Sequence, residues 1–324
     1  MGKKMVIDAH CHLFPSLDAF PAHLMGEYRN YKKKSFLVTH KDDKAAQKAT
    51  DEFMSNLSVS GTIEECLKTM DEAGIDLSVV SVWDSAILCN EEPKIPIWEQ
   101  NQYVADAQKR YPNRIIGLVG VDPLRKGAAE IVERGITQLG LKGVKVYSSS
   151  CPLTDERLQP FLAKLNEIGL PVLFHSGSDP LPFLIQYGNP ADLDALTLKY
   201  PKIKIQAGHC SRGYQQLLSE IIHYREGIIY QDLSGLQFEY QKSRWHFLLF
   251  LRNLMDRIPG SVLMGTDWPW LRIPPHPSPK EWFDFIRNLK IPKPVLDLGL
   301  GIKDFTQEER DRILGLNAMQ LYGL

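Results

Sequence analysis

The chain's 324 residues predict an α/β architecture, a (β/α)8 TIM barrel, on three observations. Eight short apolar runs recur, each followed by a segment of helical periodicity, directly or after a loop. Histidine and aspartate gather at the carboxyl ends of those runs, the face on which barrel active sites are built. The rival, a doubly wound open sheet, usually has fewer strands and often a glycine-rich phosphate loop. Neither G-x-G-x-x-G nor G-x-x-x-x-G-K-[ST] occurs. The whole chain, 1–324, reads as one barrel domain.

The first run, 5–12, carries V-I-D-A-H-C-H. Strand alternation places Val6, Asp8, His10 and His12 on one face. Met5, Ile7, Ala9 and Cys11 are left to pack against helices. The connection 13–61 is too long for a plain loop. It is read as an inserted lid or substrate wall on the carboxyl face, with small helices such as 43–56. Lys32-Lys33-Lys34 within it is read as a solvated loop face, and Arg29, Tyr28, His23 and His40 as candidate substrate contacts.

A helix over 62–73 ends at Gly74 and leads into the second run, 77–83. A helix over 100–110 stops before Tyr111-Pro112, ahead of the third run, 115–121. After a helix over 128–138 the fourth run, 144–147, turns Gly143, Lys145 and Tyr147 inward. The helix over 154–168 is capped by Thr154 and closed by Gly169. The fifth run, 172–175, ends in His175. Tyr200-Pro201 then closes a helix before the sixth run, 203–208, which delivers His209. Helices over 213–225 and 245–256 frame the seventh run, 228–233, and the eighth, 262–266, delivers Asp267.

Composition excludes several function classes. A formal net charge of -1 gives no electrostatic reason for nucleic acid or an anionic membrane as partner. No apolar run reaches the length of a membrane span, and the start, Met-Gly-Lys-Lys, has no secretory pattern. The five cysteines are odd in number and lack C-x-x-C spacing, so neither a disulfide framework nor a cysteine zinc site is expected. The protein is expected to be cytoplasmic.

Of nine histidines, four (His10, His12, His175, His209) stand at predicted strand tips together with Asp267. Three imidazoles and a carboxylate suit zinc, and imidazole also serves iron, manganese and cobalt. The ion would lower the pKa of a bound water or polarise a substrate oxygen.

V-I-D-A-H-C-H-L-F-P, the two later strand-end histidines, G-T-D-W-P and the closing E-R-D-R-I-L-G-L-N-A-M-Q-L-Y-G-L resemble the amidohydrolase superfamily in its amidohydrolase-2 branch. The resemblance spans nearly the whole chain. It implies one divalent metal, zinc first, held by His10, His12, His175 and Asp267. It also implies that Asp267 shuttles a proton and that His209 is an acid/base. In binuclear relatives a fourth-strand lysine is carboxylated and bridges two metals, so Lys145 is either that bridge or a cation for the substrate. The mononuclear pattern favours the cation.

In this branch related sites hydrolyse lactones or amides, decarboxylate aromatic and unsaturated acids, or hydrate double bonds. A metal-dependent hydrolase of a small carboxylate-bearing molecule is the leading expectation. A non-oxidative decarboxylase is second, and a non-catalytic binding barrel a distant third. Arg29, Arg212 and Trp270 are named as substrate contacts, with Arg272 a weaker one. Asp84 and Asp232 are candidate partners of the ligands. A homodimer is expected by analogy.

Overall fold

The computed structural model describes residues 4–40, 42–148, 150–179, 182–271 and 276–324. Eight parallel strands build the barrel. They are Ile7–His12, Leu77–Ser81, a third broken at Leu118 into Ile115–Gly117 and Val119–Val121, then Val144–Val146, Pro171–Phe174, Lys204–Ala207, Ile229–Asp232 and Val262–Leu263. The two pieces of the third strand pair on opposite sides, one with the second strand and one with the fourth. The ring closes where the eighth strand meets the first. There Ala9 N donates to Met264 O at 2.9 Å, Asp267 N to His10 O at 2.9 Å and His12 N to Trp268 O at 2.7 Å. Closure removes the unpaired edges that an open sheet would expose.

Both faces of every strand are buried, which is why the runs read as nearly continuous apolar segments. Val80, Val119, Val144, Val172, Ile205 and Val262 face the surrounding helices. Ile7, Ala9, Leu77, Val79, Leu173, Tyr230 and Leu263 fill the barrel interior, joined there by Ala318 and Leu321 from the closing helix Asn317–Tyr322.

That interior set corrects the facing expected for the first strand. Ile7 and Ala9 point in, and Asp8 turns away to accept hydrogen bonds from Thr266 N at 3.0 Å and Thr266 Oγ1 at 2.6 Å. The cause is a bulge. Asp8 lies opposite Ser78 but Cys11 opposite Val80, so Ala9 and His10 together face Val79. One extra residue reverses the alternation and re-aims His10 and His12 into the barrel mouth.

Segment 13–61 is more helical than expected. Two long helices, α1 (Ala22–His40) and α2 (Asp43–Ser60), pack on each other. Phe53, Met54 and Leu57 of α2 join Leu24 of α1 and Phe14, Phe20, Trp270 and Leu271 in one apolar cluster beside the strand tips. Lys32-Lys33-Lys34 therefore lies on a helix, not a loop, and Lys32 is buried.

Local signals hold in most places. Thr62 Oγ1 caps α3 (Ile63–Ala73), and Gly74 ends it in the left-handed conformation at φ +63°. Asp155, rather than Thr154, supplies the later cap, accepting from Arg157 N and starting a short turn before the helix Gln159–Ile168. Among the described residues no helix is long and apolar enough to cross a membrane.

Candidate metal centre

The carboxyl ends of the strands bring His10, His12, His175, His209, Lys145 and Asp267 to one cavity, in which all but His10 line the wall. The rings of His10 and His209 stack at 4.8 Å, and those of His175 and His209 meet edge to face at 5.0 Å. His209 and Asp267 both leave their strands with positive φ, +59° and +57°. A non-glycine residue holds such a backbone only when its surroundings compel it, and such strain gathers at functional sites. Gly177 lets the loops after the fifth and sixth strands touch, since a Cβ there would sit 2.3 Å from Arg212 N.

Asp232, at the tip of the seventh strand, organises these imidazoles. Its Oδ2 accepts from His10 Nδ1 at 3.0 Å and from Gln206 Nε2 at 2.7 Å. Its Oδ1 accepts from His209 N at 3.1 Å, Ser234 N at 3.1 Å and the Ser234 hydroxyl. Because the Ser234 hydroxyl proton goes to Asp232, its oxygen is free to accept from His209 Nδ1 at 2.9 Å. Both imidazoles thus carry their proton on Nδ1 and keep a lone pair on Nε2. Lys145 Nζ donates to His10 Nε2 at 3.1 Å, which assigns the same tautomer independently. Burial alone would raise the Asp232 carboxyl, but the adjoining His10 and His209 outweigh it and hold it well below the usual range.

What faces these lone pairs is Asp267. Its Oδ1 lies 3.3 Å from His12 Nε2 and 3.9 Å from His10 Nε2. Burial works against ionisation of Asp267, yet the hydrogen bond from His12 and the nearby imidazoles carry its pKa down to about 2. Burial also lowers His12 to about 4 and His209 to about 3, and depresses His175 strongly. Imidazoles around a carboxylate form a donor set that suits a divalent cation. Two further nitrogens, His12 Nδ1 and His175 Nε2, are buried without a hydrogen-bond partner.

Among the described residues, ligand atoms of His10, His12 and Asp267 lie within 4.8 Å of one another, as do those of His10, His209 and Asp232. The first group suits a divalent ion, because the Nε2 atoms of His10 and His12 both face the Asp267 carboxylate, where an ion would replace the protons that Lys145 and His12 now supply. In the second, the Nδ1 atoms are already committed to Asp232 and Ser234. His175 shares the cavity but stands outside both groups, its ring 4.3 Å from Tyr147 and its Nε2 3.9 Å from Asp179.

The cavity holds about 970 Å³ of empty space, its open mouth included. Trp83, Tyr147, Trp270 and Phe238 supply aromatic walls, and Tyr28, Tyr31 and Lys32 of α1 another side. Trp270 lies there as the sequence suggested, its ring 6.5 Å from that of His12. Arg212 also lines the cavity, with its guanidinium 4.8 Å from the Phe238 ring and donating to Ser178 O at 2.9 Å. Arg29 is a correction. It pairs with Asp51 of α2 in solvent, half exposed, because it sits on the outer face of α1.

Tyr28 lines the cavity, whereas His23 and His40 do not. Asp84 is structural, gripped by Arg125 through two bonds of 2.7 and 2.8 Å. Trp268 packs among the outer apolar residues, and Arg272 lies outside the described residues. Asp179 went unread in the sequence. Tyr147 Oη donates to it at 2.6 Å, and burial raises its pKa to about 6. Its only sequence signal is a place four residues after His175.

Burial lowers both cavity lysines, Lys145 and Lys32, to about 8. For Lys32 the unfolded chain keeps the proton up to about pH 10.5, so the buried charge costs stability at neutral pH. That cost is relieved as pH climbs from about 8 to about 10.5. Lys32→Met is accordingly expected to be more stable than wild type by about 2 kcal/mol at pH 7, with the gap shrinking by pH 10. Urea midpoints at the two pH values check this, and a gap that stays constant contradicts it.

Comparison with known proteins identifies the family and the fold. The amidohydrolase family model, Amidohydro_2, matches residues 7–324. A curated relative, 2-amino-3-carboxymuconate-6-semialdehyde decarboxylase of Dictyostelium discoideum, is 25% identical over 259 residues, 69% of this chain and 65% of its own length. The chain thus spans a little under two thirds of that relative.

Among solved structures, the 5-carboxyvanillate decarboxylase of Novosphingobium aromaticivorans was determined with bound manganese and 3-methoxy-4-hydroxy-5-nitrobenzoic acid. It shares the fold at TM-score 0.62 and 16% identity, covering 99% of this chain and 97% of its own. A probable 2-pyrone-4,6-dicarboxylic acid hydrolase from Acinetobacter baumannii, with citric acid bound, aligns at TM-score 0.59 and 15% identity over 99% of this chain and all of its own. With a family match over nearly its whole length and a barrel carrying its polar cluster at the strand tips, the chain belongs to the amidohydrolase family.

Proposed function

We propose that the chain is a metal-dependent, non-oxidative decarboxylase of a small planar acid. One observation carries this reading. The cavity pairs aromatic faces (Trp83, Tyr147, Trp270, Phe238) with two cations, the buried Lys145 and the half-buried Arg212, all around His209 and Asp267. Flat rings suit a flat unsaturated acid, and the cations offset the loss of water around its carboxylate. The decarboxylases among the relatives support it.

His10, His12, His175 and Asp267 would hold one divalent ion, zinc or manganese, which when bound supplies positive charge to a substrate oxygen. The protein's own part is orientation and proton traffic. Asp232 and Ser234 fix His10 and His209 with Nε2 available. Decarboxylation replaces a C–C bond to the carboxylate with a C–H bond, so one proton must reach carbon as CO2 departs. His209 Nε2 carries that proton, since a substrate carboxylate beside it raises a proton affinity otherwise depressed by burial. Lys145, which lines the cavity and would give up its bond to His10 Nε2 when an ion is held there, acts as a cation for the acid rather than as a carboxylated bridge between two ions.

Hydrolysis, which the sequence put first, is the second reading. The observation favouring it is Asp267, held ionised inside the cavity and able to take a proton from an attacking water. The aromatic walls, which Phe238 joins from a segment the sequence did not single out, move decarboxylation ahead.

Incubating the metal-loaded enzyme with hydroxylated benzoates, muconate-type acids and lactones separates the two. The expected result is CO2 release with a product one carboxyl group shorter. Ring opening of lactones with no CO2 from any acid would reverse the order.

A further inference from the structure

The buried lysine of α1 has no role in the site as described so far. Lys32 is 6% exposed and lines the cavity. Its ammonium lies over three rings, 4.6 Å from the centroid of Phe53, 5.3 Å from Tyr28 and 5.8 Å from Tyr31. Among the described residues it has no carboxylate partner. Its neighbour Lys33 pairs with Asp43, and Arg29 one turn earlier pairs with Asp51. Burial lowers its proton affinity, and among the described residues no acidic group lies near enough to offset the charge.

Aromatic faces attract a cation without neutralising it. A desolvated ammonium in a ring of aromatics, opening into a substrate cavity, is therefore complementary to an anion that the protein does not provide. Lys145 and the ligand cluster already meet the reacting carboxylate at the strand tips.

From the unpartnered Lys32 ammonium in the cavity wall we propose that it binds a second anionic group of the substrate, which makes the preferred substrate a diacid. This rests on the reading that the cavity takes a planar acid. Helix α1 then contributes specificity: its lysine selects substrates carrying charge at both ends, and the rings around it hold the ammonium in place.

The test compares benzoate with the three benzene dicarboxylates as ligands of the metal-loaded enzyme, by calorimetric titration. Wild type is expected to bind the best dicarboxylate at least about tenfold more tightly than benzoate, the size of one charge-assisted contact. Lys32→Met, which keeps the apolar stem, should lose that preference without weakening benzoate, and Lys32→Arg should retain most of it.

Equal binding of benzoate and dicarboxylates by wild type would overturn the proposal, as would a preference that survives in Lys32→Met or a failure of every acid to bind. Benzoate bound without preference would leave the planar-acid reading standing and remove only the diacid. A Lys32-dependent preference without CO2 release would do the reverse, sparing the diacid and removing decarboxylation.

Discussion

Asp267→Asn is expected to cut turnover by about three orders of magnitude while leaving the fold intact. The carboxylate is the one anionic group among the proposed ligands, and it lies within 4 Å of two imidazole nitrogens. An amide offers one weak acceptor in its place and cannot exchange a proton, and losses of about 10²–10⁴ follow removal of a proton-transfer group alone. Asparagine also tolerates the left-handed backbone that Asp267 adopts at φ +57°, so the hydrogen bonds from Asp267 N to His10 O and from Trp270 N to Asp267 O should survive. The checks are kcat on whichever acid is turned over and the thermal midpoint. Retained turnover would remove Asp267 from the mechanism. A collapsed midpoint would mean that the side chain is structural.

Asp232→Asn is expected to act on stability and metal affinity together. Five donors converge on this carboxylate, from His10, Gln206, His209 and twice from Ser234. Asparagine turns an amide NH2 toward one pair of them, so a donor faces donors in a site sealed from water. Breaking a buried charged pair in this way costs about 3–5 kcal/mol. His10 also loses the partner that keeps its proton on Nδ1, and loss of such a partner weakens metal binding about 10–100-fold. Urea unfolding and a competitive metal titration measure the two effects. Unchanged metal affinity would mean that His10 is oriented without Asp232.

Much of this was legible in the sequence, for a physical reason. Parallel barrel strands are buried on both faces, so each stands out as an apolar run, and the chemistry must lie at their carboxyl tips. His10, His12, His175, His209 and Asp267 could all be placed by that rule. The bulge at Ala9 and His10 could not, because an extra residue in a fully buried strand leaves no mark on an apolar pattern. Asp8 was therefore turned the wrong way.

Lys32 was misread because its run of three lysines looks solvated. Only the packing of α1 against α2 shows that Lys32 faces Phe53 while Lys33 faces Asp43. Arg29 failed for the converse reason, since a basic residue in a long insertion can point either way until its helix has a face. Asp179 and Ser234 gain their roles from loops meeting across the barrel mouth, a contact between residues far apart in sequence that spacing cannot reveal.

The central claim is that the strand tips hold one divalent ion on His10, His12, His175 and Asp267. Metal analysis tests it most directly, on wild type and His10→Ala purified without added metal or a histidine-rich tag. The account predicts about one ion per wild-type chain and essentially none in the variant. Two ions per chain would instead make Lys145 a carboxylated bridge, and folded wild-type protein that takes up no ion when challenged with zinc or manganese would contradict the claim outright.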